Sequence, residues 1–396
     1  MSKHVKINNL TGERICGCFK RCGGCQLDRT YSEQIQWKQE KSERMLSKFC
    51  DVQPVIFMDE PYNYRNKVQT VYKLNQSKQI ISGVYQSSTH GLMAIDDCML
   101  ESKTAQSIVG TLKKLMKSFR ITPYNEQTGK GLLRHTLIRT ADTTGQVMLV
   151  LVTASPIFPS KNNFVKAMRE EHPEITTIVQ NVCTANTPLL LGARSISLYG
   201  KGYIEDILCG CRFRISPESF YQVNSVQTEK LYNEVLKAAD IKKGTKVIDA
   251  YCGTGTIGII CAENGADTVG VELNNHAFKD AVINAKLNKL NNIRFFNADA
   301  TKFLCELAER GEHADVVILD PPRAGSTPEF ISAVGKLSPK RVVYVSCKIE
   351  TLERDLKLFK KQGFNAEFIQ PVDMFQHTTG IETVVLLKRK QLKIRK

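Results

Sequence analysis

The chain has 396 residues, enough for two or three domains and for sizeable cores without disulfide staples. Hydrophobic residues make up 42% and charged residues 24%, an ordinary globular balance that excludes a disordered or fibrous chain. Lys and Arg outnumber Asp and Glu by 55 to 40, and the resulting +15 favours a polyanionic partner such as nucleic acid.

The start, MSKHVKINNLTGER, lacks the apolar run of a secretory signal, and no stretch reaches the roughly 18 to 20 apolar residues of a membrane span. A cytoplasmic protein with no membrane partner is expected. In that reducing compartment thirteen cysteines, an odd number, point to ligands and reactive thiols rather than disulfides. Four of them crowd into ICGCFKRCGGCQ, residues 15–26. Cys18, Cys22 and Cys25 read as C-x3-C-x2-C, the spacing of radical enzymes whose iron–sulfur cluster cleaves S-adenosylmethionine. Cys16, Cys22 and Cys25 read as C-x5-C-x2-C, a cluster one ligand short, and all four together would also suit zinc. Spacing alone leaves these readings open.

Residues 32–49 place Ile35, Trp37, Met45, Leu46 and Phe49 among charges, which predicts an amphipathic helix. The runs NKVQTVYKL, IISGVY, HTLIRTA, GQVMLVLVTA and ITTIVQNV then read as strands, with one helix, AQSIVGTLKKLMKSF, among them. A mixed α/β region is expected to about residue 205. From Ser216 the rhythm becomes helix, strand, helix: SVQTEKLYNEVLKAA, KVIDAY, TIGIICAENG, TVGVEL, HAFKDAVINAKLNKL, IRFFNAD, DVVILD and RVVYVSC. That alternation predicts an open, doubly wound, Rossmann-like parallel sheet, whose ligands bind beyond the carboxyl ends of its strands. The tail KRKQLKIRK is strongly basic, a solvated end or a phosphate contact.

VIDAYCGTGTIG, residues 247–258, is a strand ending at Asp249 and followed by a glycine turn and a helix start, which brings free N–H groups close to a ligand. Glu272 ends the next strand, placed to accept from ribose hydroxyls; Asp299 ends the third, within reach of an adenine amino group; Asp320 ends the fourth. Packing needs alone do not put acids at four successive strand ends. The pattern resembles the S-adenosylmethionine-dependent methyltransferases. Amino-methylating members of that fold follow the D/N-P-P turn with an aromatic residue, whereas Arg323 stands there here, which disfavours an exocyclic amine as target.

Cys347 ends a further strand on the same rim. C5 of a pyrimidine is a poor nucleophile, but thiolate addition to C6 makes it enolate-like, able to attack a methyl donor. A base must then remove the C5 proton, and Glu382 in DMFQHTTGIETVVLL is the candidate, with His377 as a second polar site residue.

FYQVN, DAYCGTGTIG, VELN, LDPPRAG, VSC followed by ETLERDL, and HTTGIET together resemble the bacterial RNA uracil-C5 methyltransferases, which modify 23S ribosomal RNA and, in one branch, transfer RNA. The resemblance implies Cys347 as nucleophile, Glu382 as proton acceptor, and Gln222, Tyr251, Glu272, Asp320 and Asp299 as S-adenosylmethionine contacts. Members of the ribosomal branch carry a [4Fe-4S] cluster on C-x5-C-G-G-C and a distant cysteine, which implies Cys16, Cys22, Cys25 and Cys98 as ligands and leaves Cys18 a bystander. It further implies a class I methyltransferase domain over 206–396 and an iron–sulfur-bearing α/β RNA-recognition domain over 1–205. The β-barrel with which many relatives begin is not expected, because fifteen residues precede Cys16. The family's second histidine in the base-bearing segment is Gly380 here. A monomer acting on 23S rRNA is expected, with Arg65, Lys67, Phe220 and Tyr64 as RNA contacts. The rivals are a tRNA enzyme, an inactive iron–sulfur RNA-binding protein, and a radical S-adenosylmethionine enzyme.

Overall fold

A computed structural model describes residues 5–8, 12–86, 89, 91–184 and 190–389; the basic tail from residue 390 onward lies outside them. A hairpin of β1 (Val5–Ile7) and β2 (Arg14–Cys16) leads through the short helix Phe19–Cys22 to the helix Tyr31–Leu46. The first large sheet follows: β3 (Lys67–Leu74), β4 (Ile80–Tyr85), β5 (Leu92–Ala94), β6 (Leu133–Thr140), β7 (Val147–Thr153), β8 (Ile175–Val182) and β9 (Arg194–Tyr199). Its order is β5-β4-β3-β6-β7-β8-β9, antiparallel except between β7 and β8. That pair is parallel because the helix Lys161–Glu171 carries the chain back between them. β7, VMLVLVT, is buried along its whole length, as a strand covered on both faces must be. One face meets Ile108, Val109, Leu112 and Met116 of the helix Lys103–Ser118. On the other, Leu137, Val150 and Val152 join a core shared with the second half of the chain.

A second hairpin, β10 (Ile204–Leu208) and β11 (Cys211–Ile215), belongs to that shared core, so the expected boundary between residues 205 and 206 falls inside β10. The second sheet contains β12 (Lys246–Ala250), β13 (Asp267–Glu272), β14 (Ile293–Asn297), β15 (Val316–Leu319), β16 (Arg341–Ser346), β17 (Phe364–Val372) and β18 (Glu382–Arg389). Its order is β14-β13-β12-β15-β16-β18-β17, with the first five strands parallel and β18 antiparallel to both neighbours. The strand order reverses between β12 and β15, which opens a crevice at their carboxyl ends. This is the class I methyltransferase fold read from the sequence. Among the described residues no helix is long and apolar enough to cross a membrane.

The helix Tyr31–Leu46 corrects one reading. Thr30 and Glu33 form a reciprocal capping box that starts it, but of the apolar residues that predicted it only Leu46 is fully buried, and the rest of the buried face is the polar row Gln34, Lys38 and Ser42. The polar face is buried because it meets polar partners beyond β17. The chain after it extends that sheet edge, with Val52 bridging Ile369 and Ile56 bridging Val372.

Candidate active site

A cleft of about 1350 Å³ opens beyond the carboxyl ends of β12, β15 and β16. Gln222, Tyr251, Asp320, Cys347 and Glu382 all line it, as do Arg65 and Phe220. The remaining candidates stand back from its wall. Glu272, at the end of β13, accepts the N–H groups of Gly253 at 2.9 Å and Asn274 at 2.6 Å, tying the glycine turn to the neighbouring strand. Asp299 caps the helix Ala300–Glu309 by accepting the Lys302 N–H at 2.9 Å. Lys67 opens β3 outside the cleft.

The turn after β12 is built around Asp249, which is buried and accepts the Gly258 N–H at 2.7 Å. A Cβ at position 258 would lie 2.9 Å from that carboxylate, so the contact requires glycine. Burial pushes the Asp249 carboxyl up to about 8 against this hydrogen bond, with Asp320 and Glu272 adding like charge. Tyr251 holds a left-handed backbone, φ 65°, with its ring 5.3 Å from that of Phe330. Such strain in a non-glycine residue persists only where the surroundings hold it, often at ligand sites.

Cys347 and Glu382 are brought together by strand register. β16 and β18 pair antiparallel with Ser346 opposite Thr383, so the next position along places Cys347 opposite Glu382. Burial pushes the Cys347 thiol up to about 11, Glu382 and Asp320 push the same way, and Arg323 opposes them. Burial also raises Glu382, with Asp320 adding to it and Arg323 again opposing, and it raises Asp320 too. A thiol, two carboxyls of raised proton affinity and one guanidinium therefore share the cleft floor. The thiol is protonated at neutral pH until a base or a substrate draws its proton away.

The segment carrying Glu382 is clamped from the N-terminal side. Asp373 pairs with Lys38 at 2.5 Å, both fully buried, and accepts the Tyr31 hydroxyl at 2.7 Å. Gln34 accepts the His377 N–H at 2.8 Å, while its amide nitrogen lies 3.0 Å from His377 Nδ1. The His377 carbonyl accepts from the Gln26 and Leu27 N–H groups at 2.8 and 3.2 Å, and Tyr64 donates to the Gln376 carbonyl at 3.2 Å. Burial pushes His377 down to about 4, so its ring is neutral. It holds the loop from behind rather than lining the cleft. An ion pair this deep is costly to break, because removing one partner strands the other's charge. Sequence reasoning missed Lys38, Asp373 and Gln34; the polar i, i+4 row Gln34, Lys38, Ser42 was the available signal. It also weighed Arg323 only as a missing aromatic.

The cysteine segment adjoins this clamp. Cys16, Cys25 and Cys98 pack against a small apolar cluster of Met58, Tyr64, Met99 and Leu100. Burial raises every thiol of the group, Cys25 and Cys98 to about 12. Cys16 adds to Cys22 and Cys25, and Cys25 adds to Cys98, so the four sense one another's charge. Cys18 is buried at the start of the helix Phe19–Cys22. Four free soft donors in one neighbourhood fit an iron–sulfur cluster in kind. Among the described residues, however, no group of three or more His, Cys, Asp or Glu is set to hold a metal ion.

Known proteins resemble both halves of the chain. A family model described as tRNA (Uracil-5-)-methyltransferase matches residues 200–390. An uncharacterized RNA methyltransferase of Clostridium tetani is 38% identical over 395 residues, 98% of this chain and 86% of that protein. Another, from Clostridium acetobutylicum, is 40% identical over 385 residues, 95% of this chain and 84% of its own. The crystal structure of the Pyrococcus abyssi tRNA (uracil-54, C5)-methyltransferase with S-adenosyl-L-homocysteine superposes with a TM-score of 0.77 at 26% identity, covering 98% of this chain and 92% of that one. Fold and cleft thus define an S-adenosylmethionine-dependent methyltransferase of class I. Within that class the chain belongs to the RNA uracil-5-methyltransferase family.

Proposed function

We propose that the protein methylates C5 of uridine in 23S rRNA through a covalent enzyme–base adduct. The observation that carries this is the register of β16 and β18, which sets a cysteine opposite a carboxyl on the wall of the donor cleft. A uridine turned out of its stack enters the cleft. The Cys347 thiol gives up its proton to solvent, its sulfur bonds to C6, and the electron pair displaced onto C5 attacks the methyl group of S-adenosylmethionine. A carbon–carbon bond forms, the sulfonium–methyl bond breaks, and S-adenosylhomocysteine leaves. Glu382 then takes the C5 proton, the C6–sulfur bond breaks, and 5-methyluridine departs. Gln222, Tyr251, Glu272, Asp320 and Asp299 bind the donor, and Glu272 also shapes the glycine turn. Phe220, 66% exposed, offers a stacking face to a neighbouring base.

Support for the ribosomal substrate comes from Cys16, Cys22, Cys25 and Cys98. They would hold a [4Fe-4S] cluster that braces the small domain and, with four protein ligands, has no open iron for chemistry. A transfer-RNA reading is favoured by the similarity to the Pyrococcus abyssi enzyme. Purified protein given S-adenosylmethionine and either 23S rRNA or tRNA transcripts separates the two. The expected outcome is 5-methyluridine in the ribosomal RNA alone, and product confined to tRNA would overturn the assignment.

The ligand set has its own test. After anaerobic reconstitution, Cys18→Ser is expected to keep the visible absorbance of the cluster, and Cys16→Ser or Cys98→Ser to lose most of it. Loss with Cys18→Ser and retention with Cys98→Ser would reverse the assignment.

A further inference from the structure

Two cations face each other across neighbouring strands with little to balance them. Lys67 opens β3, and its partner across the ladder to β6 is Arg139. Directly opposite residues leave the sheet on the same face, and like charges so placed destabilise it. Among the described residues the Lys67 ammonium has no hydrogen bond or ion pair, and only burial and Arg139 act on it, lowering it to about 8. Arg139 is 3% exposed and donates to the Ser219 carbonyl, but its Nε is buried without a partner. The acid that acts on it, Glu218, accepts the Ser195 hydroxyl at 2.9 Å.

The pair sits beside the cleft. Arg139 holds Ser219, and Asn66, next to Lys67, donates to the Gln222 carbonyl at 3.0 Å; these contacts flank the exposed Phe220 on both sides. Arg65, two residues before Lys67, lines the cleft itself. Facing cations short of counter-charge, at the foot of an exposed aromatic ring, want an anion joined to something flat.

We propose that Lys67, with Arg139 behind it, is a phosphate site that takes a backbone phosphodiester of the RNA beside the uridine in the cleft. This rests on the reading that the substrate is RNA. A base laid on Phe220 brings its phosphate to the cation pair, and the phosphate supplies the charge that the protein lacks there.

Filter binding of a uridine-containing ribosomal RNA fragment over a salt series, with S-adenosylmethionine affinity measured in parallel, tests the site. Lys67→Gln is expected to weaken RNA binding about 10-fold and to reduce the slope of log affinity against log salt by about 1. Lys67→Arg is expected to keep both, and donor affinity to stay unchanged, which also shows that the variants fold. Wild-type RNA affinity and salt slope in Lys67→Gln would overturn the proposal. So would a loss of donor affinity in place of RNA affinity, since the donor's carboxylate is the other anion at hand. A wild type that binds the RNA yet yields no 5-methyluridine would sink the assigned reaction and leave the phosphate site standing.

Discussion

Cys347→Ala is expected to abolish 5-methyluridine formation, with a loss of at least about 10³-fold in turnover, while S-adenosylmethionine still binds with near wild-type affinity. The loss is large because the thiol supplies the bond that makes C5 nucleophilic, and the other thiol lining the cleft, Cys252, is buried and pushed well above the ordinary thiol range by that burial, with Asp249 and Glu272 adding to it. Asp320 and Glu382 offer carboxyl oxygens, far weaker nucleophiles towards carbon than a thiolate, and Arg323 offers a guanidinium. Cys347→Ser is expected to be nearly as inactive, since a hydroxyl is a far weaker nucleophile than a thiol. RNA carrying 5-fluorouracil adds a second readout. The wild type is expected to form a stable covalent complex, because fluorine cannot leave C5 as a proton does, and Cys347→Ala is expected to form none. Full-rate product from the alanine variant would remove the covalent mechanism altogether.

Much of this site was legible in the chain because strand ends are legible. Apolar runs closing on an acid or a cysteine, such as VID, VEL, ILD and VVYVSC, announce both the sheet and the rim on which ligands sit, and the helix SVQTEKLYNEVLKAA appears with the expected bounds. The pairing of Cys347 with Glu382 was not legible. It depends on the antiparallel return of β18 beside β16, a non-local register that no local pattern encodes. The clamp on the base-bearing loop was hidden for a related reason. Lys38 sits among charges in an amphipathic pattern and reads as solvated, yet its partner Asp373 lies 335 positions along the chain. Two of the strand-end acids also serve the backbone, because Asp299 begins a helix and Glu272 closes a turn. A strand-end acid in the sequence can serve the backbone as readily as a ligand.

Glu382→Gln is expected to stop the reaction one step later than the cysteine variants. Addition to C6 and methyl transfer need the thiol and the donor, both of which remain, whereas proton removal from C5 needs a base that glutamine does not provide. On ordinary uridine RNA the variant is therefore expected to accumulate a covalent adduct carrying the new methyl group, with turnover reduced by about 10² to 10⁴-fold. Denaturing electrophoresis and intact mass measurement would detect it. The charge change gives the test a pH signature. Ionised Glu382 raises the Cys347 thiol, so removing its charge lets the thiol ionise more readily. Burial holds Glu382 above the ordinary carboxylate range, so at low pH it carries its proton in the wild type and the two thiols behave alike. The gap opens as pH rises through the titration of Glu382, with the variant's Cys347 then reacting faster with iodoacetamide than the wild type's. Equal thiol reactivity across the whole range, together with normal turnover and no adduct, would show that Glu382 neither faces the nucleophile nor takes the proton.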